Sequence, residues 1–238
     1  MKKFLITVVL LKVTLLAAFL MFFVPTAELS LLDSGSSISP TPHSNVSINR
    51  ATSDPYTGNL AIFEEPEREN NLQISRVMDI LKISSGKTVA DIGAGSGWFT
   101  VRAAKRAGEK GKVYAVEINQ GYIDHITTRA KTENLANIKT ILGKPNDPLL
   151  PKQSVDAVLI LKTYHEIAEP IRFMKNLRAG LRKTALVGII DRNGDGADHG
   201  LDKEKVIEEA MLSGFKLKEE FDFVKADGMD YFLVFELK

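Results

Sequence analysis

Residues 89–100, VADIGAGSGWFT, decide the fold. A short apolar run ends in Asp91, and Gly93, Gly95 and Gly97 then follow at every second position. Glycines this close together cost conformational entropy, and they are useful where a backbone turns tightly or approaches a ligand without Cβ atoms. The stretch therefore predicts a strand, a tight turn and the start of a helix, with a ligand beside the turn.

Strands and helices alternate on both sides of this stretch. The predicted strands are residues 87–93, 112–118, 137–143, 155–161, 185–191, 215–224 and 231–238. The predicted helices are residues 98–110, 121–135, 170–183 and 203–214. This alternation predicts an α/β fold with a mostly parallel sheet that helices cover on both faces. The last two strands are joined by a turn alone, so we expect them to form an antiparallel pair at one edge.

Two acidic residues indicate which nucleotide the glycine turn would bind. A dinucleotide-binding turn has the spacing G-x-G-x-x-G and places a pyrophosphate at a helix N-terminus. Here G-x-G-x-G follows Asp91, whose carboxylate would repel a phosphate but suits the cationic amino-acid end of a ligand. Glu117 ends the second strand, where an acidic side chain can bind both ribose hydroxyls. The pattern favours S-adenosylmethionine (SAM) over the nicotinamide cofactor of an oxidoreductase, which is the alternative.

These motifs, together with GKVYAVEI at residues 111–118, resemble the cofactor motifs of the class I SAM-dependent methyltransferases. Residues 63–81, residues 143–167 and the last two strands resemble a bacterial subgroup of that family. The resemblance implies a Rossmann-like sandwich with a seven-stranded sheet, and SAM as cofactor. The cofactor-binding residues that it implies are Asp91, Gly93, Ala94, Gly95, Gly97, Glu117, Ile118, Asn146 and Asp147, the last two near the adenine.

The candidate catalytic residues lie in KTYHEI, residues 162–167, which follow the fourth strand at its carboxyl end. His165 is a candidate base because the unperturbed pKa of histidine is near neutral. Tyr164 could shape the pocket or donate a hydrogen bond, and Glu166 could orient His165 or bind a cation. A structural role for His165 in its loop is the alternative. Asp191 and Arg192, at the end of the fifth strand, are a further pair at this edge.

Composition narrows the classes of partner and site. The formal net charge is +1, which gives no sign of a basic face for nucleic acid. The chain has no cysteine, so thiolate nucleophiles and disulfides are excluded. Its four histidines are scattered without ligand spacing, and the sequence therefore predicts no metal site.

The N-terminal region differs in composition from the rest. Residues 4–24 are apolar except for Lys12, and residues 1–27 are predicted to be a single-pass membrane anchor or a cleaved signal peptide. An ordinary buried helix is a third reading. Residues 28–58 are rich in Ser and Pro and are predicted to be a flexible linker to a domain spanning residues 59–238.

The expected localisation is therefore membrane-anchored or exported. The early positive charges place the N-terminus in the cytoplasm and the domain on the far side of the membrane, whereas SAM is made in the cytoplasm. The side of the membrane stays open.

Together these features predict methyl transfer from SAM to a small-molecule or lipid-like acceptor. The tether favours the lipid-like acceptor, since it would hold the site near a bilayer. The alternative is a non-catalytic SAM-fold binding or regulatory protein at the membrane.

Overall fold

The computed structural model describes residues 49–196, 198–224 and 229–238. The predicted anchor or signal segment and most of the predicted linker lie outside these residues. Within the described ranges, no helix combines the length and the apolar character needed to cross a bilayer.

Seven strands of the described chain form one sheet. They are β1 (Thr88–Ile92), β2 (Lys112–Glu117), β3 (Ile138–Leu142), β4 (Val155–Leu161), β5 (Leu181–Arg192), β6 (Phe215–Phe221) and β7 (Asp230–Leu237). Their order is β3-β2-β1-β4-β5-β7-β6. The first five are parallel, and β7 runs antiparallel between β5 and β6. The predicted fold class is confirmed, including the antiparallel pair at one edge.

Helices cover the sheet, and two short 3-10 segments accompany them. The helices are α1 (Arg68–Leu72), α2 (Ile74–Ile80), α3 (Trp98–Ala107), α4 (Gln120–Thr132), α5 (Pro170–Gly180) and α6 (Lys203–Leu212), and the 3-10 segments are Leu60–Glu64 and Tyr164–Glu166. All four predicted helices are present. The elements before β1 were not predicted, because short helices carry too little periodicity to be recognised.

The central strands are buried on both faces, as parallel strands between helical layers must be. Successive residues point to opposite faces of a strand. Thus Val89 of β1 packs in a cluster with residues of α2 and α3, including Val77 and Phe99. The next residue, Ala90, packs in the opposite cluster, which contains Met174 of α5.

The strand order determines where a ligand can bind. β1 lies between β2 and β4, so the chain builds the sheet first to one side of β1 and then to the other. In open α/β sheets, ligands bind beyond the carboxyl ends of the strands at such a reversal point. The glycine turn lies there.

Part of the predicted linker is attached to the domain. The backbone N–H of Arg50 donates to the carbonyl of Ala168 at 3.1 Å, and that of Ser53 donates to the carbonyl of Gly196 at 3.0 Å. The guanidinium of Arg50 also donates to the carbonyl of Tyr164 at 2.7 Å. The contacts of the domain therefore begin before residue 59, the predicted boundary.

Candidate active site

A cavity of about 690 Å³ opens at the carboxyl ends of β1, β2 and β4. This volume lies in the usual range for small-molecule sites. Of the predicted site residues, the wall contains Asp91, Gly93, Ala94, Gly95, Glu117, Ile118, His165 and Glu166. The fold thus brings together residues from two distant parts of the sequence.

The glycine turn allows close backbone approaches on two sides. Gly93, Gly95 and Gly97 have φ of +68°, +53° and +78°, a region that side chains disfavour. A Cβ on Gly93 would overlap the side chain of Thr163, which follows β4. A Cβ on Gly95 would instead lie 3.4 Å from the ring of Phe63, another residue of the cavity wall. Gly97 packs against α4 and is not on the wall.

The carboxylate of Glu117 is oriented by three backbone N–H groups. Gly95 donates to Oε2 at 3.1 Å, and Ile118 and Asn119 donate to Oε1 at 2.8 and 3.3 Å. A carboxylate has about four acceptor positions, so Oε2 keeps capacity for a ligand hydroxyl. The side chain of Ile118 is 45% exposed on the cavity wall and offers an apolar surface beside this carboxylate.

Asp91 is a buried carboxyl at the other end of the glycine turn. The hydroxyl of Thr100 donates to it at 2.6 Å. Burial raises the pKa of Asp91 to about 7, although the Thr100 hydrogen bond and the positive charge of Arg68 act in the opposite direction. Arg68 also lines the cavity, and its guanidinium lies 4.8 Å from the centre of the Trp98 ring. A carboxylate and a guanidinium on one wall match the two charges of an amino-acid group.

His165 and Asp191 form a buried pair on the β4 side of the glycine turn. Nδ1 of His165 lies 2.9 and 3.0 Å from the two carboxylate oxygens of Asp191, and the backbone N–H of His165 donates to the same carboxylate at 3.0 Å. We assign the imidazole proton to Nδ1, since Asp191 can only accept when ionised. This tautomer leaves a lone pair on Nε2, which lies 3.9 Å from Oε1 of Glu166.

Glu166 is a partly buried carboxyl next to this imidazole. Burial raises the pKa of Glu166 to about 7; His165 lowers it, and the negative charge of Glu117 raises it further. His199, from the connection between β5 and α6, completes the group, with its ring centre 5.9 Å from that of His165. His199 is not among the predicted site residues, because 34 residues separate it from His165 and only the fold brings the two together.

Tyr164 differs from its prediction. Its side chain is fully buried in the core cluster and is not on the cavity wall. Burial raises the pKa of its phenol well above the ordinary value. The 3-10 turn directs the successive side chains of Tyr164 and His165 to different sides, so Tyr164 supports the turn and His165 reaches the cavity.

Asn146 and Asp147 also lie away from the wall. Asn146 donates through Nδ2 to Glu169 at 2.7 Å, and Oδ1 of Asp147 accepts from the backbone N–H of Leu149 at 2.8 Å. Asp147 thus stabilises the turn after β3, and Asn146 links that turn to the start of α5. The two preceding residues, Lys144 and Pro145, do line the cavity.

The segment before β1 closes one side of the cavity. Tyr122 of α4 donates through its hydroxyl to the carbonyl of Tyr56 at 3.0 Å. Arg129 of α4 forms a two-pronged ion pair with Glu64, at 2.5 and 3.2 Å. These contacts hold Tyr56 and Phe63 on the wall, and no sequence motif indicated them.

Comparison with known proteins identifies the kind of domain. Residues 89–184 match the family model described as a methyltransferase domain. A protein-L-isoaspartate O-methyltransferase of Methanococcoides burtonii is 28% identical over 99 residues, which are 42% of this chain and 49% of that protein. An aklanonic acid methyltransferase of Streptomyces sp. strain C5 is 30% identical over 125 residues, 52% of this chain and 50% of that protein. The chain therefore spans about half the length of these relatives.

Solved structures show the same fold. A SAM-dependent methyltransferase from Aquifex aeolicus superposes with a TM-score of 0.68 at 22% identity, and the match covers 75% of this chain and 97% of that one. At this identity the likeness establishes the fold. The resemblance to class I SAM-dependent methyltransferases that the sequence motifs predict is thus confirmed.

Proposed function

We propose that this chain, whose residues 89–184 form a methyltransferase domain on a class I fold, transfers a methyl group from SAM to a small, largely apolar acceptor. One observation carries the proposal. A single cavity contains Asp91, Gly95 and Glu117 at its β1–β2 side and the imidazole of His165 at its β4 side. A candidate cofactor-binding surface and a candidate proton acceptor therefore share one cavity.

The residues of the first side fit SAM. Asp91 and Arg68 would hold the amino and carboxylate groups of its methionine part. Because Gly95 has no Cβ, the ligand could approach the backbone of the turn closely. Glu117 would accept from ribose hydroxyls, with Ile118 against the adenine. When bound, SAM supplies an electrophilic methyl group on a positively charged sulfur.

The second side would prepare the acceptor. Nε2 of His165 would accept the proton that an acceptor hydroxyl or amine loses as its lone pair forms a bond to the methyl carbon. The bond from that carbon to the sulfur of SAM would break, and the resulting neutral thioether would leave. The carboxylate of Asp191 fixes the tautomer and stabilises the imidazolium that results. Holding the two reactants in one cavity supplies the remaining acceleration, through proximity and orientation.

The cavity wall favours an apolar acceptor. Ile62, Leu161, Ile167 and Phe173 contribute aliphatic and aromatic surface to it. The aklanonic acid methyltransferase among the relatives supports a small-molecule acceptor, whereas the isoaspartate methyltransferase acts on protein. The relatives therefore do not decide between these two classes of acceptor. The apolar residues 4–24 support a lipid-like acceptor and attachment to a membrane.

The test measures transfer of the methyl group from SAM that carries tritium in that group. The full-length chain is incubated with a cell extract that has been separated into organic-soluble, protein and RNA fractions. Label in the organic-soluble fraction, lost with Glu117→Gln and retained with Glu219→Gln on the exposed face of β6, would support the proposal. Label in protein or RNA alone would overturn the acceptor class. SAM binding without transfer to any fraction would instead indicate a non-catalytic binding protein.

A further inference from the structure

We propose that His165, Glu166 and His199 bind a divalent transition-metal cation of the zinc class at the acceptor side of the cavity. One ligand atom from each residue lies within 4.8 Å of the other two. Two imidazoles and one carboxylate are a ligand set that zinc and its neighbours in the first transition row accept.

The imidazole of His165 is prepared for this role. Asp191 engages Nδ1 through both carboxylate oxygens, so Nε2 carries the free lone pair. Metal-bound histidines usually donate their second ring N–H to a carboxylate in this way, which fixes the ring and increases its basicity. Asp191 is fully buried within the last residues of β5, and it therefore holds the first ligand rigidly.

The other two ligands can move to complete the site. Nitrogen ligands lie about 2.0–2.1 Å from zinc, so the ligand atoms of a tetrahedral site are roughly 3.4 Å apart. Oε1 of Glu166 is 3.9 Å from Nε2 of His165 and needs only a small rotation. His199 is exposed, and its side chain can approach by a change of rotamer.

Three protein ligands leave a fourth position open, as in catalytic rather than structural zinc sites. His165, Glu166 and His199 all line the cavity, so the open position would face the cavity. An oxygen or nitrogen of the acceptor could bind there. Nε2 of His165 cannot be ligand and base together. In the cation-bound protein, the cation would lower the pKa of the bound acceptor in place of the imidazole.

Cation binding can be measured without SAM or acceptor, so its outcome does not depend on the proposed function. Only the suggestion that the acceptor binds to the cation rests on that function. The full-length chain, without an affinity tag of histidines, is freed of metal and titrated with Zn²⁺ against a chromophoric chelator. Co²⁺ is added in a second titration, because its visible absorption distinguishes four-coordinate from six-coordinate sites. SAM binding to the same metal-free preparation is recorded by calorimetry.

We expect one Zn²⁺ per chain and four-coordinate Co²⁺. His199→Ala and Glu166→Gln should each weaken Zn²⁺ binding by at least about tenfold. Removal of a residue that only hydrogen-bonds to a metal ligand already costs about this much, and removal of a ligand itself should cost no less. His125→Ala, which removes an exposed histidine of α4, is the matched control and should leave the affinity unchanged. Equal affinity in the His199→Ala and control variants, or six-coordinate Co²⁺ throughout, would overturn the site whether or not SAM binds.

Discussion

The backbone N–H of Gly95 donates a hydrogen bond to Oε2 of Glu117, 3.1 Å away. This bond joins the turn after β1 to the acidic end of β2. It holds the carboxylate at the edge of the cavity, and it requires the turn to keep its left-handed backbone. The geometry of the cofactor side therefore depends on both residues.

Gly95→Ala is expected to lower SAM affinity more than a glycine substitution away from the cavity that costs the same stability. An alanine would have to keep φ near +53° and would place a Cβ in the space between the turn and Phe63. Gly86→Ala is the matched control, since Gly86 has φ of +82° with nothing within 4 Å of an added Cβ. Both variants should lose about 1–2 kcal/mol of stability, measured by urea unfolding. A similar SAM affinity in the two variants would show that Gly95 does not contact the ligand.

Asp91→Asn is expected to stabilise the ligand-free chain at pH 8. The folded pKa of Asp91 is raised to about 7 from 3.8, so its contribution to stability is fully present below about pH 4 and is lost as the pH rises through 7. Asparagine removes the buried charge and can still accept from Thr100. The difference in unfolding free energy from wild type should shrink between pH 8 and pH 5. A constant difference, or the same pattern in Asp124→Asn on the surface of α4, would contradict this reading.

His165→Gln should slow methyl transfer and leave SAM binding unchanged. Loss of a general base costs about 10²–10⁴-fold in rate, and His165 follows β4, which β1 separates from the Glu117 end of β2. The measurement is the initial rate of label transfer at saturating SAM, with calorimetry of SAM binding beside it. His125→Gln is the control. A parallel loss of SAM affinity would place His165 in cofactor binding instead.

Arg50→Ala should destabilise the fold although Arg50 precedes the predicted domain. The Nε of Arg50 lies 3.3 Å from Oε1 of Glu209, whose side chain is 0% exposed. Removing one partner of a buried ion pair costs about 3–5 kcal/mol, because the other charge stays buried. Lys205→Ala, which breaks an exposed pair with Glu208, should cost about 1 kcal/mol or less. Equal losses in the two variants would show that Arg50 does not anchor the segment.

Much of the fold could be predicted from the sequence because its signals are local. β-branched runs, helical periodicity and the glycine turn each reflect neighbouring residues. The acidic end of β2 follows from the same pattern, and Glu117 lies where predicted.

The rest depends on contacts between distant residues. Arg68 reaches Asp91's cavity from α1, and Asp191 lies 26 residues after His165, to which it bonds. His199 joins them only because β5 runs beside β4. Tyr164 was misplaced for the same reason, since the tight turn that separates it from His165 has no clear sequence signature. Such pairs follow from topology, and spacing along the chain does not reveal them.

The most direct test of the central claim is calorimetric titration of SAM into the full-length chain, with Glu117→Gln and Glu219→Gln beside it. We expect one SAM per chain for the wild type and for Glu219→Gln. Glu117→Gln should weaken SAM binding by roughly tenfold or more, as expected when a charged hydrogen-bond acceptor is lost. Absence of SAM binding by the folded wild type, or equal affinity in the two variants, would contradict the assignment of this cavity to SAM.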